Sequence, residues 1–299
     1  MKGVYTALIT PFDDRGGLDL DTFRRLLDDQ VAAGITGVIP CGTTGEAPTL
    51  TLEEKRTLIH TAIAHLKGSR TQVIAGTGSN ATAETVELSS WAAAEGAAGV
   101  LIVTPYYNRP TAAGLEAHFR AVADAVPCPV MLYNVPGRTG VSLTAASVAA
   151  LVAHPRITSL KEASGSVVFG SEVLDAVRAA GRSLALFSGD DASYLSLLAI
   201  GAAGVVSVTS NLFPRGMVAI QTAMEQGRAA EARKLHARYY PLFRDLFLEA
   251  NPIPIKHAMA LMGFGRGALR LPLTPVSPAV AEKVVAAMGA AGIKKGTPA

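Results

Sequence analysis

The chain is poor in cysteine, in aromatic residues and in long apolar runs. Its 299 residues include only two cysteines, Cys41 and Cys128, which excludes a disulfide framework and a cysteine-based metal site. No basic stripe with interleaved aromatic residues is present, which argues against nucleic-acid binding. No apolar run approaches the roughly 20 residues of a transmembrane helix, and the N-terminus enters a predicted strand without a signal segment. We therefore predict a cytoplasmic protein.

Charged residues and metal-binding patterns are also scarce. Only 17% of the residues are charged and the formal net charge is +3, a mild excess that suits small anionic substrates. The six histidines are dispersed, and no two of them have a metal-ligand spacing. Asp190 and Asp191 are expected to cap the helix that follows them rather than to bind a cation. The sequence therefore predicts no metal.

What the chain has in abundance is alternating structure. Segments rich in valine, isoleucine and leucine alternate with longer helical patterns, and 49% of the residues are hydrophobic. We count eight predicted strand–helix units, whose strands are Val4–Thr10, Gly37–Cys41, Gln72–Thr77, Gly99–Val103, Val130–Tyr133, Ile157–Lys161, Ser183–Ser188 and Gly204–Val208. Such alternation predicts a parallel sheet.

Eight units favour an α/β fold of the (β/α)₈ TIM-barrel class. A doubly wound open sheet is the alternative, but no glycine-rich dinucleotide fingerprint follows any strand. After about Glu225 the pattern changes to helices without strands, including one long stretch over Arg228–Ala250. We therefore predict a catalytic barrel over residues 1–225 and a C-terminal helical extension over residues 226–299.

Lys161 is the residue that stands out, because it closes a predicted core strand. Lysine is strongly hydrated and is almost never fully buried unless it is paired. A buried lysine amine can attack a ketone and form a Schiff base. Taken alone, a solvent-facing lysine at a strand end is the commoner arrangement, so the interpretation depends on the other strand ends.

Those strand ends carry hydroxyls, phenols and an arginine. In a barrel the catalytic groups lie where strands end and loops begin, and the side chains found there are Thr43, Thr44, Tyr106, Tyr107, Tyr133, Arg138 and Asp190. This set suits imine chemistry, in which a lysine attacks a 2-oxo acid, a tyrosine shuttles protons and a threonine relays them. The Gly-Thr-Thr-Gly loop could hold one carboxylate through its backbone N–H groups, and Arg138 a second.

Each of these residues also has an ordinary explanation. Tyr133 fits a core aromatic residue, Thr43 and Thr44 fit capping residues of a turn, Tyr107 fits an interface patch and Arg138 fits a surface arginine. Together these explanations require unrelated coincidences at successive strand ends. The catalytic interpretation is therefore preferred.

Three motifs carry a family resemblance. Gly42-Thr43-Thr44-Gly45-Glu46, the segment Tyr133–Gly140 and Leu160-Lys161-Glu162-Ala163-Ser164-Gly165 resemble the class I aldolase family of dihydrodipicolinate synthase and N-acetylneuraminate lyase. Thr104–Pro110 and Asn251–Lys256 are similar to the synthase branch, as is the segment of Ser188, Gly189, Asp190, Asp191 and Ala192. The similarity covers nearly the whole chain.

The resemblance implies a role for each matching residue. Lys161 would form the Schiff base with pyruvate, and Tyr133 would donate and accept protons in a relay with Thr43 and with Tyr107 of a neighbouring subunit. The residues placed around the substrates are Thr44 for the pyruvate carboxylate, Val206 for the imine, Gly189 in the strand-seven loop and Arg138 for the carboxylate of aspartate semialdehyde. No metal or organic cofactor is implied.

Arg138 decides the choice within the family, because sugar-acid lyases of the family usually lack it. The implied activity is a lyase that condenses pyruvate with aspartate semialdehyde for diaminopimelate and lysine synthesis, and the implied assembly is a homotetramer built as a dimer of dimers. Three alternatives stay open. They are another pyruvate-dependent aldolase, a non-catalytic keto-acid sensor and a phosphate-binding barrel enzyme.

One segment departs from the family pattern. In lysine-inhibited bacterial relatives the helix after the threonine loop carries histidines that help to hold the inhibitor. This chain has Leu52 and Lys55 at those positions. Asn80, Glu84 and Tyr106 are retained. A second ammonium at Lys55 would repel the cationic side chain of lysine. We expect weak or absent inhibition by lysine.

Overall fold

A computed structural model describes residues 1–294 and residue 296 of the chain. Eight parallel strands form a closed barrel in sequence order. They are β1 (Gly3–Ala7), β2 (Gly37–Ile39), β3 (Gln72–Gly76), β4 (Gly99–Val103), β5 (Val130–Asn134), β6 (Ile157–Glu162), β7 (Ala185–Ser188) and β8 (Gly204–Ser207). The predicted (β/α)₈ class is confirmed.

Helices follow the strands and continue after the last one. They are α1 (Leu20–Ala32), α2 (Leu52–His65), α3 (Thr82–Ala94), α4 (Ala112–Ala125), α5 (Pro136–Thr139), α6 (Ala145–Leu151), α7 (Val167–Ala179), α8 (Tyr194–Ala199), α9 (Pro214–Glu225), α10 (Ala229–Asp245), α11 (Ile253–Leu261) and α12 (Pro278–Ala291). Several begin at a polar cap. Thr51 and Glu54 form a reciprocal capping box at the start of α2, which satisfies two otherwise unpaired N–H groups.

The chain forms two compact units, and the first comprises residues 1–2 and 73–206. Within it β5 lies between β4 and β6, and the register pairs Tyr133 with Lys161 and Asn134 with Glu162. Glu162 in turn pairs with Ser188 of β7. Strands β5 and β6 therefore end one residue later than predicted, because Asn134 and Glu162 also take part in the pairing.

The second unit comprises residues 3–72 and 207–299. Strands β1 and β2 pair within it, α9 packs against β1 and α10 packs between α9 and α12. Helix α10 ends at Asp245, before the end of the predicted stretch Arg228–Ala250. The boundary predicted near residue 225 stays a prediction, and residues 295 and 297–299 of the predicted extension lie outside the described residues.

Helix length and composition bear on membrane insertion. Across residues 1–294 and 296, none of the helices combines the length and the apolar character that crossing a membrane would need.

Candidate active site

Lys161 is buried and its amine lies against an aromatic ring. Lys161 is 5% exposed on β6, and Tyr133, its register partner on β5, is 6% exposed. The Lys161 Nζ lies 4.2 Å from the centroid of the Tyr133 ring. At that distance an ammonium interacts favourably with the ring face. The burial expected of Lys161 is therefore observed.

Gly189 makes room for the stem of Lys161. A Cβ atom at Gly189 would lie 3.0 Å from Cγ of Lys161 and 2.6 Å from Cβ of Ala163. The Gly189 N–H donates to the carbonyl of Glu162 at 2.7 Å, which fixes this close approach. Only glycine fits this position without displacing its neighbours.

A second polar pair lies one residue beyond the first. The Asn134 Nδ2 donates to Oε2 of Glu162 at 2.7 Å, and Oε1 of Glu162 accepts from the backbone N–H of Ser164 at 2.5 Å. Both side chains are buried. Because successive residues of a strand point to opposite faces, this pair lies on the other face of the sheet from Lys161 and Tyr133. It ties β5 to β6 behind Lys161 and Tyr133.

The sequence analysis quoted Glu162 within a motif but gave it no role. The signal that could have found this pair is a polar residue directly after Tyr133 and another directly after Lys161. Burying two adjacent polar positions at a strand end is unfavourable unless they bond each other.

The remaining predicted residues of the first unit lie in different environments. Arg138 is exposed on the short helix α5, directly after β5. Tyr107 is 90% exposed and has a left-handed backbone conformation with a φ of 71°, so its phenol is not buried beside Lys161. Val206 is fully buried in β8, and its neighbour Val205 pairs with Ser188 of β7. The structure thus brings together Lys161, Tyr133 and Gly189.

The threonine loop, residues 42–46, belongs to the second unit. Thr43–Gly45 form a 3₁₀ turn, which lies between two non-glycine residues in the left-handed region, Cys41 at φ 59° and Glu46 at φ 55°. Such a conformation costs about 1–2 kcal/mol per residue, so surrounding contacts must hold it. The Thr10 hydroxyl donates to the Gly45 carbonyl at 2.7 Å, which fastens the loop to the segment after β1.

Thr44 is oriented by a neighbouring amide. The Asn251 Nδ2 donates to Oγ1 of Thr44 at 3.0 Å, and Thr44 is 2% exposed. This bond uses a lone pair of the hydroxyl oxygen and leaves its proton to donate elsewhere. A carboxylate is the strongest acceptor that such a hydroxyl could meet.

The buried thiol of Cys41 and the distribution of metal-ligand side chains bear on alternative chemistry. Burial raises the pKa of the Cys41 thiol to about 12, so it is not a nucleophile near neutral pH. Among the described residues no group of three or more histidine, cysteine, aspartate or glutamate side chains could hold a metal ion. The Asp190 carboxylate accepts from the N–H groups of Ala192 and Ser193 in the turn before α8, whereas the N-cap of α8 is Ser193, which makes no side-chain cap bond.

Comparison with known proteins gives a consistent family. The model of the dihydrodipicolinate synthetase family matches residues 1–291. The 4-hydroxy-tetrahydrodipicolinate synthase of Pelobacter propionicus is 46% identical over 98% of this chain and 99% of its own length.

Two solved structures have nearly the same backbone. Dihydrodipicolinate synthase from Cyanidioschyzon merolae with lysine bound has a TM-score of 0.94 and is 41% identical, covering 98% of this chain and 99% of its own. A monomeric dihydrodipicolinate synthase variant has a TM-score of 0.95 and is 36% identical, covering 98% of each chain. The chain therefore belongs to the dihydrodipicolinate synthetase family.

Proposed function

We propose that the protein condenses pyruvate with aspartate semialdehyde to 4-hydroxy-tetrahydrodipicolinate, as a Schiff-base lyase that serves diaminopimelate and lysine synthesis. The observation that carries the proposal is the buried Lys161 amine, 4.2 Å from the centroid of the Tyr133 ring. The relatives' names support the same activity.

The first half of the reaction forms and activates the imine. The Lys161 amine attacks the ketone carbon of pyruvate, and the carbinolamine loses water to give the imine. Tyr133 gives a proton to the departing oxygen, and loss of a methyl proton then converts the imine to a nucleophilic enamine. Thr43 relays protons with Tyr133 and Tyr107. For Thr43 this role rests on its place in the family motif.

The second half joins the two substrates. The enamine carbon attacks the aldehyde of the semialdehyde and forms a carbon–carbon bond. The amino group of the acceptor then attacks the imine carbon, which closes the ring and releases Lys161. Over the whole condensation, one water molecule is released. Arg138 offers a planar fork to the acceptor carboxylate, Thr44 donates to the pyruvate carboxylate, and Val206 and Gly189 shape the space around the imine.

We also propose a homo-oligomer, a tetramer formed as a dimer of dimers, in which Tyr107 completes the site of a partner subunit. The support is its 90% exposure combined with a constrained left-handed backbone. A phenol as exposed as this one can contact a partner subunit, and its assignment to the partner's site rests on its place in the family motif. The cytoplasmic location stays a prediction.

A coupled assay with both substrates tests the activity. Wild type should turn over, Lys161→Ala should abolish turnover, and Arg138→Ala should raise the KM for aspartate semialdehyde with little change in the KM for pyruvate. Wild type that binds pyruvate but does not use aspartate semialdehyde would contradict the choice of acceptor and favour another pyruvate-dependent aldolase.

A further inference from the structure

We infer that Lys256 is a positioning residue for the threonine loop, and that its ion pair with Glu46 sets the affinity of the enzyme for pyruvate. This inference rests on the proposed function, in which the loop holds the pyruvate carboxylate. Lys256 lies on α11, far along the chain from the loop that it would position.

The ion pair of Lys256 and Glu46 is buried, and its two charged groups are separated by a short distance. The Lys256 Nζ lies 2.5 Å from Oε1 of Glu46, and the two side chains are 2% and 0% exposed. The other carboxylate oxygen of Glu46 accepts from the backbone N–H of Arg270 at 3.1 Å. Both oxygens of the carboxylate are therefore held, so the Glu46 side chain has one position.

Aromatic and cationic neighbours confine Lys256 further. Its Nζ lies 4.1 Å from the centroid of the Phe12 ring, and the guanidinium carbon of Arg270 lies 4.3 Å from the same centroid. The Arg270 guanidinium is held by Glu54 and by the carbonyls of Gly16 and Thr49. The ammonium of Lys256 is thus directed to Glu46.

The backbone of Glu46 connects this pair to the loop. Glu46 has a φ of 55°, and its N–H donates to the carbonyl of Thr43 at 3.1 Å. The Glu46 carbonyl accepts from the N–H of Thr49 at 2.9 Å. Releasing the side chain would let this strained residue relax, and the backbone of Thr43 and Thr44 would shift with it. A buried ion pair is well suited to such a holding role, because it fixes geometry rather than adding stability.

The test removes both charges at once. A single substitution would leave one charge buried without its partner and could prevent folding, so the variant is the double substitution Lys256→Met with Glu46→Gln. We expect the KM for pyruvate to rise about tenfold, with kcat and the KM for aspartate semialdehyde changed less than about twofold. Isothermal titration with pyruvate alone should show the same loss of affinity.

The control removes another charged contact of the same unit. Asp245 is 6% exposed and pairs with Arg244 at 2.6 Å on α10. Asp245→Asn is expected to lower the melting temperature and to leave the KM for pyruvate unchanged. A double variant with lowered melting temperature but wild-type affinity for pyruvate would show that the pair is only structural and would overturn the inference. Wild-type protein that binds no pyruvate would instead overturn the proposed function, and this inference with it.

Discussion

At the scale of single residues, the buried side chains of Lys161 and Lys256 differ in what lies beside them. Lys256 has the Glu46 carboxylate at 2.5 Å, although burial lowers the pKa of its ammonium below the ordinary value. Within residues 1–294 and 296, Lys161 makes no ion pair and lies against a phenol ring instead. An amine that is engaged by a carboxylate is not available to a ketone, so Lys161 rather than Lys256 is the residue suited to imine formation.

Gly189→Ala tests how closely the stem of Lys161 is confined. The added methyl would lie 3.0 Å from Cγ of Lys161 and 2.6 Å from Cβ of Ala163, so the lysine must move by tenths of an ångström. We expect kcat/KM for pyruvate to fall at least about tenfold, because small displacements of a reacting group are costly. Steady-state kinetics measures this.

The matched control is Gly289→Ala on α12, where an added Cβ meets no atom within 4 Å. It should keep wild-type kinetics. Equal activity in both variants would contradict the tight fit described around Lys161.

The positions of Lys161 and Tyr133 at strand ends were easier to predict than the contact between Glu46 and Lys256. Lys161 and Tyr133 carry distinctive chemistry at strand ends, and a barrel places such residues at its catalytic face. The partnership of Glu46 with Lys256 joins residues 210 positions apart. No local pattern indicates which buried charge meets which, so this contact needed the folded structure.

At the scale of elements, the positions of the strands were predicted closely, and their end residues were predicted less accurately. Strand β4 was predicted without error, whereas β2 ends two residues before the predicted Cys41. The reason is local, because Cys41 adopts a left-handed conformation that does not continue an extended strand. Hydrophobic pattern shows where a strand lies, but backbone conformation decides where it stops.

Because His118 on α4 is buried, we expect the folded protein to become less stable to unfolding in acid. Its Nδ1 lies 2.9 Å from Oγ1 of Thr82, and burial lowers its pKa from 6.5 to about 4. The folded state therefore favours the neutral ring. The free energy of unfolding is therefore unaffected by His118 above pH 6.5 and decreases as the pH falls from 6.5 towards 4. At pH 5 the decrease should be about 2 kcal/mol.

Urea unfolding at pH 7 and pH 5 measures this effect. The variant His118→Asn cannot be protonated, so its unfolding free energy should change less between the two pH values than that of wild type. An identical change in both proteins would show that another group is responsible.

The start of α2 predicts the response to lysine. Leu52 is 41% exposed there, and Lys55 lies on the following turn. A relative has been solved with lysine bound, but an extra ammonium at Lys55 should repel the cationic side chain of that ligand. We expect millimolar lysine to leave the initial rate nearly unchanged. A strong drop at sub-millimolar lysine would be incompatible with this expectation.

At the scale of the whole molecule, assembly is the property least visible in one chain. The barrel class followed from counting strand–helix units, but an exposed tyrosine alone does not reveal a partner. Tyr107 has a left-handed backbone with a φ of 71° and is 90% exposed, which motivates a test of its action between subunits.

Mixing two inactive variants tests whether Tyr107 acts on a partner's site. Lys161→Ala and Tyr107→Phe chains should each be nearly inactive alone. If Tyr107 acts across the interface, unfolding and refolding equal amounts of the two chains together should restore about a quarter of the wild-type rate. Random pairing makes about half of the dimers mixed, and each mixed dimer has one intact site out of two. No recovery, with mixed oligomers present by mass spectrometry, would place Tyr107 in its own subunit's site or outside catalysis.

The central claim is that Lys161 forms a Schiff base with pyruvate, and borohydride reduction tests it most directly. Wild type incubated with pyruvate and borohydride should gain the mass of one reduced pyruvate imine per chain, located on Lys161 by peptide mass spectrometry. Lys161→Ala should gain none. Wild type that stays unmodified, or a modification found on Lys256 instead, would contradict the account.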